Sequence, residues 1–361
     1  MDSSEYYRSH GKLPFIGGAG QQLLARAEVL VVGAGGLGCP CLKALAGAGI
    51  GTIGIVDFDT VSVSNLHRQT LYDAADAGRP KALAAAEKLQ AYNPLITFHS
   101  HLLLLDESNV LSLLSAYDCI VDCTDNFLVR YLINDACVAL DKPLVYGAIH
   151  QAEGHVTVFN YRGSPTLRCL FPESEQNDAI QSCADIGAYN ITTGLIGLLM
   201  ANEAIKIALQ RTDTLAGVLH QLDALSGKAR RLAYPPLAGS RETSMARFKQ
   251  PPATIEIPAE ALRQKMEARE PFVLVDVRED DERRAFHIGG RHIPLQQFLE
   301  QSLPDVQPGD TIIVYCERGG RSLQSARHLR AQGFANAYSL QGGMSLWRQE
   351  EMRNREMKNK K

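Results

Sequence analysis

The stretch VVGAGGLGCPCLKALAGAGIGTIGIVDFD, from Val31 to Asp59, decides how the first half of the chain folds. Val29 to Gly33 is a short apolar run that reads as a buried strand, and Leu37 to Ala46 then carries apolar residues at helical spacing. Thr52 to Asp57 is a second apolar run of strand length. Strand, glycine turn, helix and strand in that order make a βαβ unit with parallel strands. Gly33, Gly35 and Gly38 have the G-x-G-x-x-G spacing of a turn that sets backbone N–H groups against phosphate, and the acid Asp57 follows about twenty residues later. The glycines leave open whether the nucleotide is a nicotinamide dinucleotide or one used for other chemistry.

The alternation continues downstream. Pro80 to Ala91 is an alanine-rich helix opened by proline, Asp118 to Asp122 a strand, Phe127 to Leu140 a helix and Pro143 to Gly147 a strand. The pattern predicts a Rossmann-like α/β domain, its mostly parallel sheet covered by helices on both faces. Strands near His155 to Tyr161 and Val218 to Leu232 are expected to extend it in antiparallel fashion. The segment YPPLAGSRETSMARFKQPP is rich in proline and polar residues and lacks periodicity, so residues 235–252 read as a linker after a first domain at 1–234. A second, smaller α/β domain is expected over 253–350, with strands at Val273 to Val277, Thr311 to Tyr315 and Ala337 to Leu340 and a helix at Arg321 to Gln332. The last residues, 351–361, form a basic tail that reads as a solvated helix end.

Bulk properties narrow the classes. The 361 residues exceed one ordinary core, and 45% hydrophobic with 21% charged residues is soluble-protein composition. A formal net charge of -3 gives no reason to expect nucleic acid or an anionic membrane as partner. MDSSEYYRSHGKLPF has no basic run followed by an apolar one, so no secretory leader is expected and a cytoplasmic location follows. The apolar stretch from Ile191 to Leu209 is interrupted by Thr192, Thr193, Asn202, Glu203 and Lys206, and reads as a buried helix. The eight cysteines suit buried or catalytic thiols better than a disulfide framework. No C-x-x-C pair exists, so no structural zinc site is expected.

Beyond Asp57 the sequence runs DTVSVSNLHRQTL and then RPKALAAAEKL. Binding a nicotinamide dinucleotide does not require Asn65, Arg68 and Lys81 just past the ribose acid. Phosphoryl and nucleotidyl transfer do require cations there, because charge builds on phosphate oxygens as the bond breaks. Asp125, in VDCTDNF, follows a predicted strand, where ligand-binding residues of open α/β sheets collect, and a carboxylate there is suited to Mg²⁺.

GAGGLG, DFDTVSVSNLHRQ, RPKALAA and DCTDN, taken together and in this order, resemble the MoeB/ThiF family, prokaryotic relatives of ubiquitin-activating enzymes. The similarity runs from about Ser4 to Tyr234. The resemblance implies adenylation, with ATP and Mg²⁺, of the C-terminal glycine of a ubiquitin-like sulfur-carrier protein ending in Gly-Gly. It implies Gly36 against the phosphates, Asp57 on the ribose, and Ser64, Asn65, Leu66, His67, Arg68 and Lys81 along the triphosphate. It also implies Asp125 on magnesium with Asn126 beside it. Arg8, in YYRSH, matches an arginine that reaches into the partner subunit's site, which requires a homodimer. Family members often carry two C-x-x-C pairs on structural zinc. Here Thr166 replaces the first cysteine of the pair ending at Cys169, and the second pair is absent between Leu232 and Ser244.

In the second domain YCERGGRS places Cys316 between an apolar strand and a helical pattern. Backbone N–H groups of such a turn and the helix N-terminus favour a thiolate or persulfide, and Arg321 adds a fixed positive charge. With LVDVRE and HIGGRHIPL upstream, this loop resembles the rhodanese sulfurtransferases, whose loop cysteine carries a persulfide supplied by a donor such as a cysteine desulfurase. Asp276, Arg278 and Glu279 read as structural. Cys183 precedes the long apolar helix, where the resembling family can form a thioester or acyl disulfide; Cys39, Cys41, Cys119, Cys123 and Cys137 read as core. Two rival activities stay open on the sequence: an ATP-dependent dehydratase of the same fold acting on modified tRNA, and a nicotinamide-dependent oxidoreductase.

Overall fold

β1 (Glu28–Val32) is buried on both sides: Val29 and Val31 enter one apolar core, Leu30 and Val32 another. A strand of β-branched and leucine residues covered on both faces belongs at the centre of a parallel sheet. The computed structural model places it there. It describes residues 2–172, 187–248, 255–300, 303, 305–307 and 309–358, and it divides into two units, Met1–Pro252 and Ala253–Lys361.

The first unit opens with α1 (Ser3–Tyr6) and α2 (Gly17–Arg26), then β1, α3 (Gly38–Ala48), β2 (Thr52–Val56), α4 (Lys81–Tyr92) and β3 (Thr97–His101). It continues with α5 (Val110–Ser115), β4 (Cys119–Asp122), α6 (Phe127–Ala139), β5 (Leu144–His150) and β6 (Glu153–Phe159). Next come α7 (Leu167–Leu170), α8 (Asn190–Ala208), the hairpin of β7 (Val218–Asp223) and β8 (Ala229–Ala233), and α9 (Ser240–Ala246). The eight strands lie in the order β3-β2-β1-β4-β5-β6-β7-β8, parallel from β3 to β5 and antiparallel beyond. Strands are added outward from β1 to β3 on one side and then from β4 on the other, so the strand order reverses between the parallel β1 and β4. A crevice opens at the carboxyl ends of strands at such a switch point, which is where open α/β sheets bind ligands.

Three features differ from the sequence expectation. β3 carries no strand signal in the sequence: TFHSH is an edge strand, none of its residues is fully buried, and so it lacks an apolar signature. Much of the expected linker is structured, with α9 packed on α6. Its buried residues are Ser240 and Ser244, and Asn134 Nδ2 donates to Ser244 Oγ at 3.2 Å. A helix that buries hydroxyls has no apolar stripe to read. Finally, α8 is apolar all round. Thr192, Ile196 and Met200 are buried on one side, while Ile191, Leu195 and Leu198 are 47%, 39% and 51% exposed on the other. By length and composition it could cross a bilayer, with half of that stretch buried within the fold.

The second unit has a five-stranded, all-parallel sheet in the order β11-β10-β12-β13-β9, formed by β9 (Glu256–Ile257), β10 (Val273–Asp276), β11 (Arg291–His292), β12 (Ile312–Tyr315) and β13 (Ala337–Leu340). Its helices are α10 (Ala259–Glu267), α11 (Asp280–Ala285), α12 (Leu295–Glu300), α13 (Gly320–Ala331) and α14 (Gly343–Lys358). Two apolar clusters fill it, one around Val275, Val314 and Phe298, the other around Ile313, Tyr315 and Trp347.

Candidate active sites

The glycine turn between β1 and α3 lies at the switch point. Gly33 has φ +96°, and a methyl group at Gly38 would stand 2.0 Å from the Gly33 carbonyl oxygen. Only glycine permits that crossing, which aims the first turn of α3 at the crevice. Asp57, at the end of β2, braces the turn by accepting the Ala34 N–H at 2.8 Å and the Asp59 N–H at 2.9 Å. Burial pushes its carboxyl up, and the nearby Lys81 ammonium and those two N–H groups pull it back.

Arg68 reaches this turn, and Lys81 stands close enough to act on the Asp57 carboxyl that braces it. Arg68 Cδ lies 3.7 Å from where a side chain on Gly36 would begin, and its Nη1 is 3.0 Å from His67 Nε2. Lys81, the first residue of α4, is only 5% exposed, and its ammonium is tied to Asp59 Oδ2 at 2.9 Å. Ser64 and Asn65 lie in a short 3₁₀ turn (Val63–Asn65), with Ser64 Oγ 2.9 Å from Ser62 Oγ. Leu66 turns inward and packs on the core, so it seats the run rather than facing the crevice. Asp125 is exposed past β4 and has no hydrogen bond or ion pair among the described residues, while Asn126 Oδ1 accepts the Val129 N–H at 3.3 Å.

The crevice also holds residues that the motif reading passed over. Asp122 is fully buried, its Oδ1 accepts from Thr124, and its Oδ2 has no partner. Gln69 is buried with Oε1 unpartnered and Nε2 3.6 Å from where a side chain on Gly35 would begin. Thr193 at the head of α8 closes over Gly36. Arg130 donates to Tyr146 Oη at 3.0 Å and to the Thr124 carbonyl at 2.5 Å. A glycine cradle with cations nearby fits a polyphosphate nucleotide, and the orphaned acceptor oxygens of Asp122 and Gln69 suit a hydroxyl, an amine or a cation beside it, not the phosphates themselves.

Arg8 lies elsewhere. The adjacent Tyr7 Oη accepts from Asn93 Nδ2 at 2.7 Å, and its ring lies against Gly49, just beyond the last turn of α3. The glycine turn is at the other end of that helix, about 16 Å away at 1.5 Å per residue.

In the second unit Cys316 follows β12 and is 1% exposed. Its sulfur accepts the Gly319 N–H at 3.2 Å and the Ser322 hydroxyl at 3.4 Å, ahead of α13. Arg321, the fixed positive charge expected beside the loop, is held by a carboxylate. It forms a two-pronged pair with Glu282 at 2.7 and 2.6 Å, which holds that carboxyl below its ordinary range, and it still acts electrostatically on the sulfur. The loop is anchored at Glu317, whose carboxylate accepts from Arg278 at 3.3 Å, from Ser345 at 3.1 Å and from Arg348.

The ThiF family pattern matches residues 6–241, and the rhodanese-like domain pattern matches 258–350. The chain belongs to the ThiF family. Adenylyltransferase and sulfurtransferase MOCS3-2 of Zea mays is 37% identical over 95% of this chain and 79% of its own length. The probable adenylyltransferase/sulfurtransferase MoeZ of Mycobacterium tuberculosis is 36% identical over 94% and 92%. The sulfur carrier protein adenylyltransferase of Thermus thermophilus is 48% identical over 61% of this chain and 83% of that protein. Among solved structures, E. coli MccB shares the fold, with TM-score 0.58 at 19% identity over 66% of this chain and 71% of that one. As a ThiF-family chain with a rhodanese-like domain, the protein is an ATP-using adenylyltransferase with sulfurtransferase activity.

Within this ThiF domain the remaining cysteines divide by burial. Desolvation pushes the Cys39 thiol up to about 12 and those of Cys119, Cys123 and Cys137 well above the ordinary range, so these are packing groups. Cys183 lies outside the described residues. Asp276 and Arg278 of the rhodanese-like domain form a buried two-pronged pair at 2.9 and 2.8 Å.

Proposed function

We propose that the ThiF domain adenylates the C-terminal glycine of a ubiquitin-like sulfur-carrier protein and that the rhodanese-like domain supplies the sulfur that turns it into a thiocarboxylate. Arg68 against the Gly33–Gly38 turn, with Lys81 acting on the Asp57 that braces it, carries the first half of this reading. A carboxylate is a poor electrophile. Attack by the glycine carboxylate on the α-phosphorus of ATP releases pyrophosphate and leaves an acyl-adenylate, and the two cations offset the charge on the phosphates as the bond breaks. Asp57 would accept from the ribose hydroxyls. Asp125, exposed and without an ion-pair partner, is the residue to hold Mg²⁺, whose chemistry there is to neutralise triphosphate oxygens.

The donor loop supports the second half. A persulfide on Cys316 would attack the acyl carbon through its terminal sulfur and displace AMP, giving an acyl disulfide. A second thiol, which we assign to Cys183, then attacks the Cys316 sulfur and frees the thiocarboxylate, and the resulting disulfide is reduced by external thiol. A cysteine desulfurase is the class of donor that would load Cys316. Joining both activities on one chain raises the donor's effective concentration beside an intermediate that water destroys. Free thiols at all seven described cysteines favour a reducing, cytoplasmic setting.

ATP–pyrophosphate exchange, measured with and without a diglycine-ended carrier, tests the adenylation step. Exchange that ignores the carrier removes it. Cys316→Ser is expected to leave carrier-dependent exchange intact while abolishing thiocarboxylate formation, read by mass spectrometry as a gain of sulfur for oxygen on the carrier.

A homodimer completes the reading. Arg8 is separated from its own glycine turn by the length of α3, so it would serve a second copy's nucleotide, and the exposed Ile191, Leu195 and Leu198 face of α8 suits burial between copies. Mixing Arg8→Ala chains with Lys81→Met chains should then restore exchange that neither has alone, through the one composite site holding both native residues. No recovery in subunit-exchanged mixtures would place Arg8 outside the chemistry.

A further inference from the structure

Two separate segments of the ThiF domain meet at one sulfur. Thr166 and Cys169 are separated by two intervening residues at α7, and Leu237 and Ser240 have the same spacing at the start of α9. Cys169 Sγ accepts the Thr166 N–H at 3.3 Å and the Leu237 N–H at 3.2 Å. It also lies 3.2 Å from Ser240 Oγ and 3.5 Å from Thr166 Oγ1. Cysteines at all four positions would make the paired C-x-x-C arrangement described above for zinc-bearing relatives. Zinc–sulfur bonds of about 2.3 Å in a tetrahedron set sulfurs about 3.8 Å apart, close to the oxygen–sulfur separations seen here. The donor set does not fit the ion. One position is a thiol, two are neutral hydroxyls and Leu237 has no donor atom in its side chain. Among the described residues no group of three His, Cys, Asp or Glu could hold a metal.

We infer that Thr166, Cys169, Leu237 and Ser240 form a metal knuckle rebuilt with hydrogen bonds, in which the Cys169 sulfur takes the ion's place and ties the segment before α9 to α7. The tie has something to hold. Arg168, inside the knuckle, makes a two-pronged pair with the buried Asp135 at 2.9 and 2.7 Å. Arg247, just past α9, reaches the same carboxylate at 3.2 Å. α6, α7 and α9 thus share one buried ion cluster, and an α9 that drifted would leave Asp135 under-compensated. Burial pushes the Cys169 thiol up, but the donors from Leu237, Ser240 and Thr166 outweigh it and leave the thiol below its ordinary range, as befits a sulfur used as an acceptor.

The test uses the full chain expressed in zinc-supplemented medium, beside Cys169→Ala and the triple variant Thr166→Cys/Leu237→Cys/Ser240→Cys. We expect wild type without stoichiometric zinc and with a Tm indifferent to chelator, and a lower Tm for Cys169→Ala with no change in metal content. The triple variant should take up one zinc per chain and become chelator-sensitive. With Co²⁺ it should show the strong thiolate charge-transfer and visible bands of a tetrahedral four-sulfur site. One zinc per wild-type chain, lost in Cys169→Ala, overturns the inference. So does an unchanged Tm in Cys169→Ala, or a triple variant with native circular dichroism and ATP–pyrophosphate exchange that binds no metal. If the triple variant does not fold, wild-type zinc content and the Cys169→Ala melt decide. None of these readouts depends on a carrier protein, so the inference fails or stands separately from the proposed substrate.

Discussion

Lys81→Met is expected to lower carrier-dependent ATP–pyrophosphate exchange by about 10²–10³-fold, the usual loss when one preorganised charge facing a developing anion is removed. The folded state should hardly notice. Lys81 is paired with Asp59, whose side chain is 51% exposed and remains hydrated when the ammonium leaves. A pair with one solvated partner contributes less than about 1 kcal/mol, and methionine refills the space of the aliphatic stem. Lys81→Arg should rescue little, because a planar fork does not replace a compact ammonium in a slot where the native side chain is 6% exposed. A second readout separates electrostatics from simple disruption. Burial holds the Asp57 carboxyl up and Lys81 pulls it down, so removing Lys81 raises it further. ATP needs the ionised carboxylate as a ribose acceptor, and affinity is lost as pH falls through the Asp57 pKa. Calorimetric titrations across pH should show the acid limb of ATP binding displaced to higher pH in Lys81→Met. A limb that stays in place would mean that Lys81 does not act on this crevice.

What the sequence made legible is local in chain. The G-x-G-x-x-G turn, Asp57, Arg68 and Lys81 lie within about fifty consecutive residues, and their fixed spacing on a βαβ frame is enough to expect them at one end of the sheet. Asp122 and Gln69 were hidden although both stand inside quoted motifs, because what marks them is burial without a partner, and burial depends on neighbours from other strands. Arg130 looked like any helical arginine until β5 supplied Tyr146. The pairing of Arg321 with Glu282 joins residues 39 apart on different elements, and nothing in either motif announces it. α9 has the composition of a linker because it buries serines. The sulfur-centred tie at Cys169 spans 71 residues and was visible in sequence only as missing cysteines.

Arg278→Met should cost the rhodanese-like domain about 3–5 kcal/mol, the range for stripping one partner from a buried ion pair. Arg278 is 1% exposed in its side chain and Asp276 is fully buried. The guanidinium also donates to the Phe286 carbonyl at 2.7 Å and to Glu317 of the sulfur loop. Arg283, at 3.3 Å from Asp276, makes a single bond and does not replace the two-pronged pair. For about a hundred residues the penalty corresponds to a fall in Tm of about 15 °C or more. The chain's single tryptophan, Trp347, lies in this domain's core under Arg263, so its fluorescence follows this unit within the intact protein. The pH dependence fixes the cause. Burial pushes the Asp276 carboxyl up, but the Arg278 bonds outweigh it and leave the folded value below the ordinary one of 3.8. A depressed carboxylate stabilises the fold above its unfolded pKa, and that contribution is lost as pH falls from about 4 through the folded value. Wild type should therefore lose this stability only in strong acid. In Arg278→Met the buried carboxylate keeps only the single Arg283 bond and its pKa rises, so lowering the pH from neutral toward 5 should stabilise the variant relative to wild type. A variant whose tryptophan melt follows the wild-type pH dependence over that range would show that Asp276 carries no uncompensated charge. Because Glu317 loses one of its three anchors, sulfur transfer by Cys316 should fall even at temperatures where the variant is folded, with ATP–pyrophosphate exchange unaffected.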